Sequence, residues 1–262
     1  MDLNSDQKLI LKNYFNPFFE KSHENLTVDP RFYTQFESLE SINKLPFLFE
    51  IDAFCCRLLI AKIKNEKICI YADFDTDAVT ATGVMFHGLI DLGFSKDLLK
   101  FYTPDRFREG YGINAGAIVD LANNFDLIIT VDCGISSEIE ADLVLNLKGC
   151  DLIITDHHVK SGGRPNALCV CNPRLNKFYV NKDGILPDFN QLKTDLENLL
   201  PGKEKDKFQN WLETFEKIKN NKMILKEETG NSDIFLSESV TGVGVSWFCL
   251  VWLGYFLEVI FD

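Results

Sequence analysis

From Lys67 onward, short apolar runs alternate with amphipathic stretches. Ile68-Cys69-Ile70-Tyr71, Leu98 to Tyr102, Leu127 to Val131, Leu152-Ile153-Ile154 and Leu168 to Cys171 read as strands. Between them, Val79 to Leu92 reads as a helix ended by Gly93, and Ile113 to Leu121 as a second. A third opens at Ser137, where Glu140 three residues on makes a capping-box pattern, and stops at Gly149. Continuous apolar strands separated by helices predict an α/β fold with a parallel sheet flanked by helices. Such sheets bind ligands beyond the carboxyl ends of their strands.

The flanks follow other patterns. In residues 1–50, Leu9, Ile10, Tyr14, Phe15, Phe18 and Phe19 recur near helical spacing, divided by Pro17, Pro30 and Pro46. This predicts an N-terminal helical segment ahead of a main domain at 51–262. Residues 175–237 interrupt the alternation and are rich in Lys, Asn, Asp and Glu. Leu192, Leu196, Leu199 and Leu200, then Phe208, Trp211, Leu212, Phe215 and Ile218, predict two amphipathic helices there, forming a helical insertion or flap. Its mixed charge suits a solvated face better than a DNA clamp. Val240 to Leu257 carries no formal charge and approaches the roughly 18–20 residues of a membrane span. Gly242, Gly244, Ser246 and Gly254 interrupt it, so a Gly-containing turn followed by a core helix, and no membrane, is the expectation.

With 262 residues, 46% of them hydrophobic, the chain is long enough for one large domain with an appendage. A net charge of −12 argues against an overall basic nucleic-acid footprint, though it leaves room for a local basic channel. The eight cysteines form no Cys-x-x-Cys pair and sit mostly in apolar runs. Buried free thiols in a reducing cytoplasm follow, rather than a zinc site. The polar start, Met1-Asp2-Leu3-Asn4-Ser5-Asp6, lacks the apolar region of a secretory signal.

Three strand ends carry the candidate chemistry. Asp73-Phe74-Asp75-Thr76-Asp77 follows the first strand, Asp132-Cys133-Gly134 the third and Asp156-His157-His158 the fourth. Helix capping accounts for one of the first three carboxylates, with Asp77 the expected cap. In a parallel sheet all three turns lie on one edge. Carboxylates gathered there repel one another unless a cation neutralises them. Oxygen ligands with imidazole suit Mn²⁺ or Mg²⁺. A central carboxylate can bridge two ions, and a pair about 3.5–4 Å apart activates water for phosphoryl chemistry. The loop Tyr102 to Gly112 adds Arg106 and Arg108, which can grip phosphate bidentately or remain solvated.

In order, Tyr-Ala-Asp-Phe-Asp-Thr-Asp-Ala, Arg-Phe-Arg-Glu-Gly-Tyr-Gly, Val-Asp-Cys-Gly-Ile-Ser, Thr-Asp-His-His and Cys-Asn-Pro-Arg resemble the DHH phosphoesterase superfamily, and within it the RecJ-type exonucleases. The resemblance covers about residues 50–174 and resumes at Thr241-Gly242-Val243-Gly244-Val245. It implies 5′-to-3′ hydrolysis of single-stranded DNA with two Mn²⁺ or Mg²⁺ ions, in repair and recombination, beside partners such as a single-strand-binding protein or a helicase. Asp73, Asp75 and Asp77 match its first acidic motif, Asp132 its bridging aspartate and His157 a metal ligand. His158 matches the histidine that contacts the scissile phosphate, Asp156 a supporting group and Arg106 a substrate-side arginine.

The sequence departs from that family in three places. Ala78 replaces the usual glycine, and the 175–237 insertion separates motifs that are normally closer. The sequence also stops before a Gly-Thr-x-Ala-Asp-like motif that supplies a further ligand. The expectation is of a domain incomplete at its C-terminus, with weak metal binding and little turnover alone. Two other readings stay open: a DHH phosphodiesterase for oligonucleotides, cyclic dinucleotides or pyrophosphate, and an inactive scaffold module.

Overall fold

All five apolar runs become strands of one sheet. The computed structural model describes residues 45–160, 162–180, 186–231 and 234–261. The expected helix over the first fifty residues lies almost wholly outside the described residues. Residues 45–50 are not helical: Phe47 makes a β-bridge with Phe235, and the first described helix, α1, is Ile51–Lys64.

The alternating core runs β1 (Ile68–Ala72), α2 (Thr76–Asp91), β2 (Leu99–Tyr102), α3 (Ala115–Ala122), β3 (Leu127–Val131), α4 (Glu138–Leu147), β4 (Asp151–Thr155) and β5 (Cys169–Cys171). The strands pair in parallel in the order β2-β1-β3-β4-β5. β1 and β3 are buried along their whole length, which explains their unbroken apolar sequences. The order reverses direction between β1 and β3, the place where an open α/β sheet leaves a crevice. Register then aligns the strand ends: Ala72 lies beside Val131, Val131 beside Thr155, and Thr155 beside Cys171.

Three local expectations change. Ser137 is the N-cap of α4 but makes no side-chain capping bond, so the capping box does not form. The cap of α2 is Asp75, whose Oδ1 accepts from Ala78 N at 2.9 Å, rather than Asp77. The glycines at 242 and 244 belong to a helix, not to a turn before one.

After β5 comes α5 (Pro173–Val180), which begins before the insertion; the insertion then contributes α6 (Asn190–Leu199) and α7 (Gly202–Thr229), followed by α8 (Gly242–Phe261). Both expected amphipathic helices are present. Their apolar faces join the main core. Trp211 meets Phe256 of α8 at 4.5 Å between ring centroids, and Phe215 meets Phe47 at 5.5 Å and Trp252 at 5.8 Å. Full burial of such side chains contributes roughly 1.5–3 kcal/mol each, enough to hold a largely charged helix against the core. α8 has the length and hydropathy of a membrane span, yet 72% of that window is buried within the fold. It packs chiefly on α2 and also touches α1 and α7.

Candidate metal centre

The aligned strand ends turn sequence into geometry. One residue beyond Ala72, Val131, Thr155 and Cys171 come Asp73, Asp132, Asp156 and Asn172. All four are buried polar residues in a row, each no more than 1% exposed. Asp132 adopts φ 59°, a left-handed conformation that aspartate tolerates better than most residues. The turn behind it is held by Thr130 Oγ1, which donates to Cys133 O at 2.8 Å. Gly134 follows at φ 112°, where a side chain would be strained and would press on Thr130 and Ile154.

Above this row the ligand atoms converge. His157 Nε2 lies 3.1 Å from Asp132 Oδ1 and 3.7 Å from Asp77 Oδ2. Asp132, His157 and His158 each offer a ligand atom, all within 4.8 Å of one another. Asp132 Oδ1 is buried and accepts no hydrogen bond, although His157 Nε2 is so near. A buried carboxylate oxygen left unbonded this close to an imidazole nitrogen suits two groups facing a shared cation. Asp73 Oδ2 is likewise buried without a hydrogen-bond partner, while Asp73 Oδ1 accepts from Phe74 N. Asp73 and Asp75 stand outside the tight group, Asp75 being exposed and engaged as the cap of α2.

Electrostatics mark the same point. Burial, then the Asp77 and Asp75 carboxylates, push Asp132 up to about 7. Burial likewise raises Asp73. Burial alone would raise Asp156 too, but bonds from the His158 ring and from the Ile135 and His158 amides outweigh it and hold Asp156 below its ordinary value. The 2.8 Å bond from His158 Nδ1 to Asp156 Oδ1 in turn raises His158. Burial, then Asp156, keeps the neighbouring Cys133 thiol protonated. The donor set is therefore carboxylate and imidazole without thiolate. It fits a hard divalent cation such as Mn²⁺ or Mg²⁺.

Residues 67–179 match the family described as the DHH family, N-terminal domain. The chain is 44% identical over 119 residues to the single-stranded-DNA-specific exonuclease RecJ of Bacillus subtilis, covering 45% of this chain and 15% of that protein. It is 35% identical over 119 residues to the RecJ of Thermus thermophilus, covering 45% and 17%. The chain thus spans less than a fifth of either relative. A crystal structure of exonuclease RecJ bound to manganese aligns over 49% of this chain and 32% of that one, with 31% identity and a TM-score of 0.45.

Within or beside the matched segment, several further residues support the site. Asn172 Nδ2 donates to His158 O at 3.1 Å, and Asn172 Oδ1 accepts from Arg174 N at 2.9 Å. Arg174 Nε donates to His157 O at 2.8 Å. Together Asn172 and Arg174 hold the backbone of both histidines. Thr155 Oγ1 bonds Thr130 O across the β3–β4 pair. Tyr111 Oη lies 3.3 Å from His158 Nε2. No local signal gives the Asn172 contact, because it depends on β5 pairing with β4.

The arginine loop lies at the rim. The Arg106 guanidinium carbon sits 5.3 Å from the centroid of the Phe74 ring, and Phe74 meets Tyr111 edge-on at 6.3 Å. Arg106 is thus connected to the site through an aromatic pair and stands outside the ligand group. Arg108 is exposed and lies 3.8 Å from Asp105.

Proposed function

We propose that this protein hydrolyses phosphodiester bonds of single-stranded DNA from the 5′ end, using two divalent ions, Mn²⁺ or Mg²⁺, in DNA repair and recombination. The observation that carries this reading is the buried, unbonded Asp132 oxygen 3.1 Å from His157, whose Nε2 also lies 3.7 Å from Asp77, at three neighbouring strand ends. The 44% identity to an exonuclease of that specificity supports the choice of substrate.

In this reading Asp75, Asp77, Asp132 and His157 hold the metal, with Asp73 completing the acidic wall. Divalent ions supply Lewis acidity to a phosphoryl oxygen and ease deprotonation of the attacking water. The chain's own side chains do the rest. Asp156 occupies Nδ1 of His158 and so leaves Nε2 to meet the scissile phosphate. Tyr111 borders that nitrogen and limits its rotation. Arg106, braced on Phe74, receives a phosphate further along the strand.

The test supplies the protein and Mn²⁺ with a 5′-phosphorylated single strand, the matching duplex and a cyclic dinucleotide. Slow, chelator-sensitive release of mononucleotides from the single strand is the expected result. Preference for the cyclic dinucleotide would move the assignment to another DHH phosphodiesterase. No cleavage of any substrate, together with no binding of Mn²⁺, would point to a scaffold.

Asn172→Ala tests the support of the two histidines. It leaves His158 O and Arg174 N without their partner, costing about 1–3 kcal/mol. Mn²⁺ affinity should fall by about tenfold or more, as for other groups that orient metal ligands. Urea unfolding and Mn²⁺ titration calorimetry read the two effects separately, and unchanged affinity would remove Asn172 from the site.

A further inference from the structure

The first turn of α8 touches two carboxylates of the site at once. Gly242 N donates to Asp77 Oδ2 at 2.8 Å, and Val243 N donates to Asp77 Oδ1 at 2.9 Å. Both oxygens of Asp77 are thereby fixed from the helix end, where free amides and the helix dipole favour a negative charge. The same glycine lies directly against Asp132. A Cβ at position 242 would overlap Asp132 Oδ1 and Cγ and come within 2.6 Å of Asp132 Cβ. Asp132 Oδ1 is the atom that faces His157 Nε2 at 3.1 Å.

The backbone of Gly242 does not itself call for glycine, since its φ is not positive. What excludes a side chain there is Asp132. The neighbouring Gly244 differs: a Cβ on it would meet Val240 and Thr241, away from the site. Gly88, on α2, answers only to Leu250 of α8. Of these glycines, Gly242 alone combines a hydrogen bond to one carboxylate of the site with contact against another.

We propose that Gly242 is a positioning residue of the metal centre, setting the separation of Asp77 from Asp132 through its amide and its missing side chain. The proposal rests on the metal-dependent reading above. It extends that reading to the Gly242-Val243-Gly244 segment, which the resemblance gave no role at the site. The amide grips Asp77 on α2, and the bare Cα admits Asp132 from the β3 turn. Substitution therefore moves one ligand while the other stays anchored.

Gly242→Ala should weaken Mn²⁺ binding about tenfold or more, measured by calorimetry well below the unfolding temperature. It should also lower the melting temperature of the metal-free protein by several degrees. In an Asp132→Gly background the clash has no partner, and glycine accepts the left-handed backbone at 132. There, Gly242→Ala should leave the metal-free melting temperature nearly unchanged. Gly83→Ala, whose Cβ meets nothing within 4 Å, is the control and should bind Mn²⁺ as the wild type does. An equal thermal penalty in both backgrounds, or failure of the double variant to fold, would overturn the contact with Asp132. Wild-type Mn²⁺ affinity in Gly242→Ala would overturn the positioning role alone. Absence of Mn²⁺ binding by the wild type would overturn the metal-dependent reading, and this proposal with it.

Discussion

Asp132→Asn is expected to produce a protein that gains no stability from Mn²⁺ and that, without Mn²⁺, melts at a higher temperature than wild type at pH 8. Asn tolerates the φ of 59°, so the backbone is spared. What changes is a buried charge. Burial and the carboxylates of Asp77 and Asp75 bring Asp132 up to about 7 in the folded protein, against about 3.9 for an unfolded aspartate. Between those values the folded state holds the proton and the unfolded state has lost it. Metal-free stability therefore falls as pH rises from about 4 to about 7, and the penalty is complete above that. It is on the order of a few kcal/mol, and the Asn variant escapes it. Melting curves of the two metal-free proteins should diverge across that window and run parallel beyond it. With Mn²⁺ at about 100 times Kd, wild type gains about 2.7 kcal/mol, or about 5–10 °C for a chain of this size. A Mn²⁺-induced shift of equal size in the variant would sink the assignment of Asp132 as a ligand.

Glu50→Gln carries the largest expected cost away from the site. Glu50 stands at the N-cap of α1 with φ 64°, and its carboxylate is fully buried. It accepts from Arg164 Nε at 2.9 Å and Nη2 at 2.6 Å, from Tyr179 Oη at 2.5 Å and from Val170 N at 2.7 Å. One side chain thus joins the start of α1 to β5, α5 and the loop between β4 and β5. An amide in its place turns hydrogens toward donors and leaves the Arg164 guanidinium without a counter-charge. Breaking a buried pair from one side costs about 3–5 kcal/mol. Urea unfolding measures it, and a loss below about 1 kcal/mol would show the pair to be dispensable. Replacing Glu50 and Arg164 together by apolar residues should cost less than Glu50→Gln alone, because no charge is then stranded.

The sequence made the sheet legible because its strands are buried on both faces. Continuous apolar runs such as Leu127 to Val131 leave few alternatives, and parallel topology then places Asp73, Asp132 and Asp156 on one edge. What could not be read depended on distant pairing. Glu50 gives no local sign of a four-bond hub. Asn172 acquires its contact to His158 only through the neighbouring strand. α5 shows no long apolar periodicity, although Pro173 occupies its first position, a site that proline favours. α7 continues to Thr229 beyond its last fully buried residue, Ile218, through a mostly polar stretch in which Met223 packs against the core. Only Gly230, in the left-handed region, marks its end. Composition does not separate Asp75, which caps α2, from Asp73 and Asp77. Which of them caps follows from where the helix begins.

The grip of α8 on Asp77 spans 165 residues of sequence. A nascent chain emerging from the ribosome can therefore build the sheet, with its acidic row, well before the amides that fix Asp77 exist. During that interval the carboxylates stand together without their last restraint. Ion capture in its final geometry then becomes a late event of biosynthesis, coupled to the docking of α8. An ion bound early would meet a looser cage, and its exchange rate would report whether the chain had finished folding.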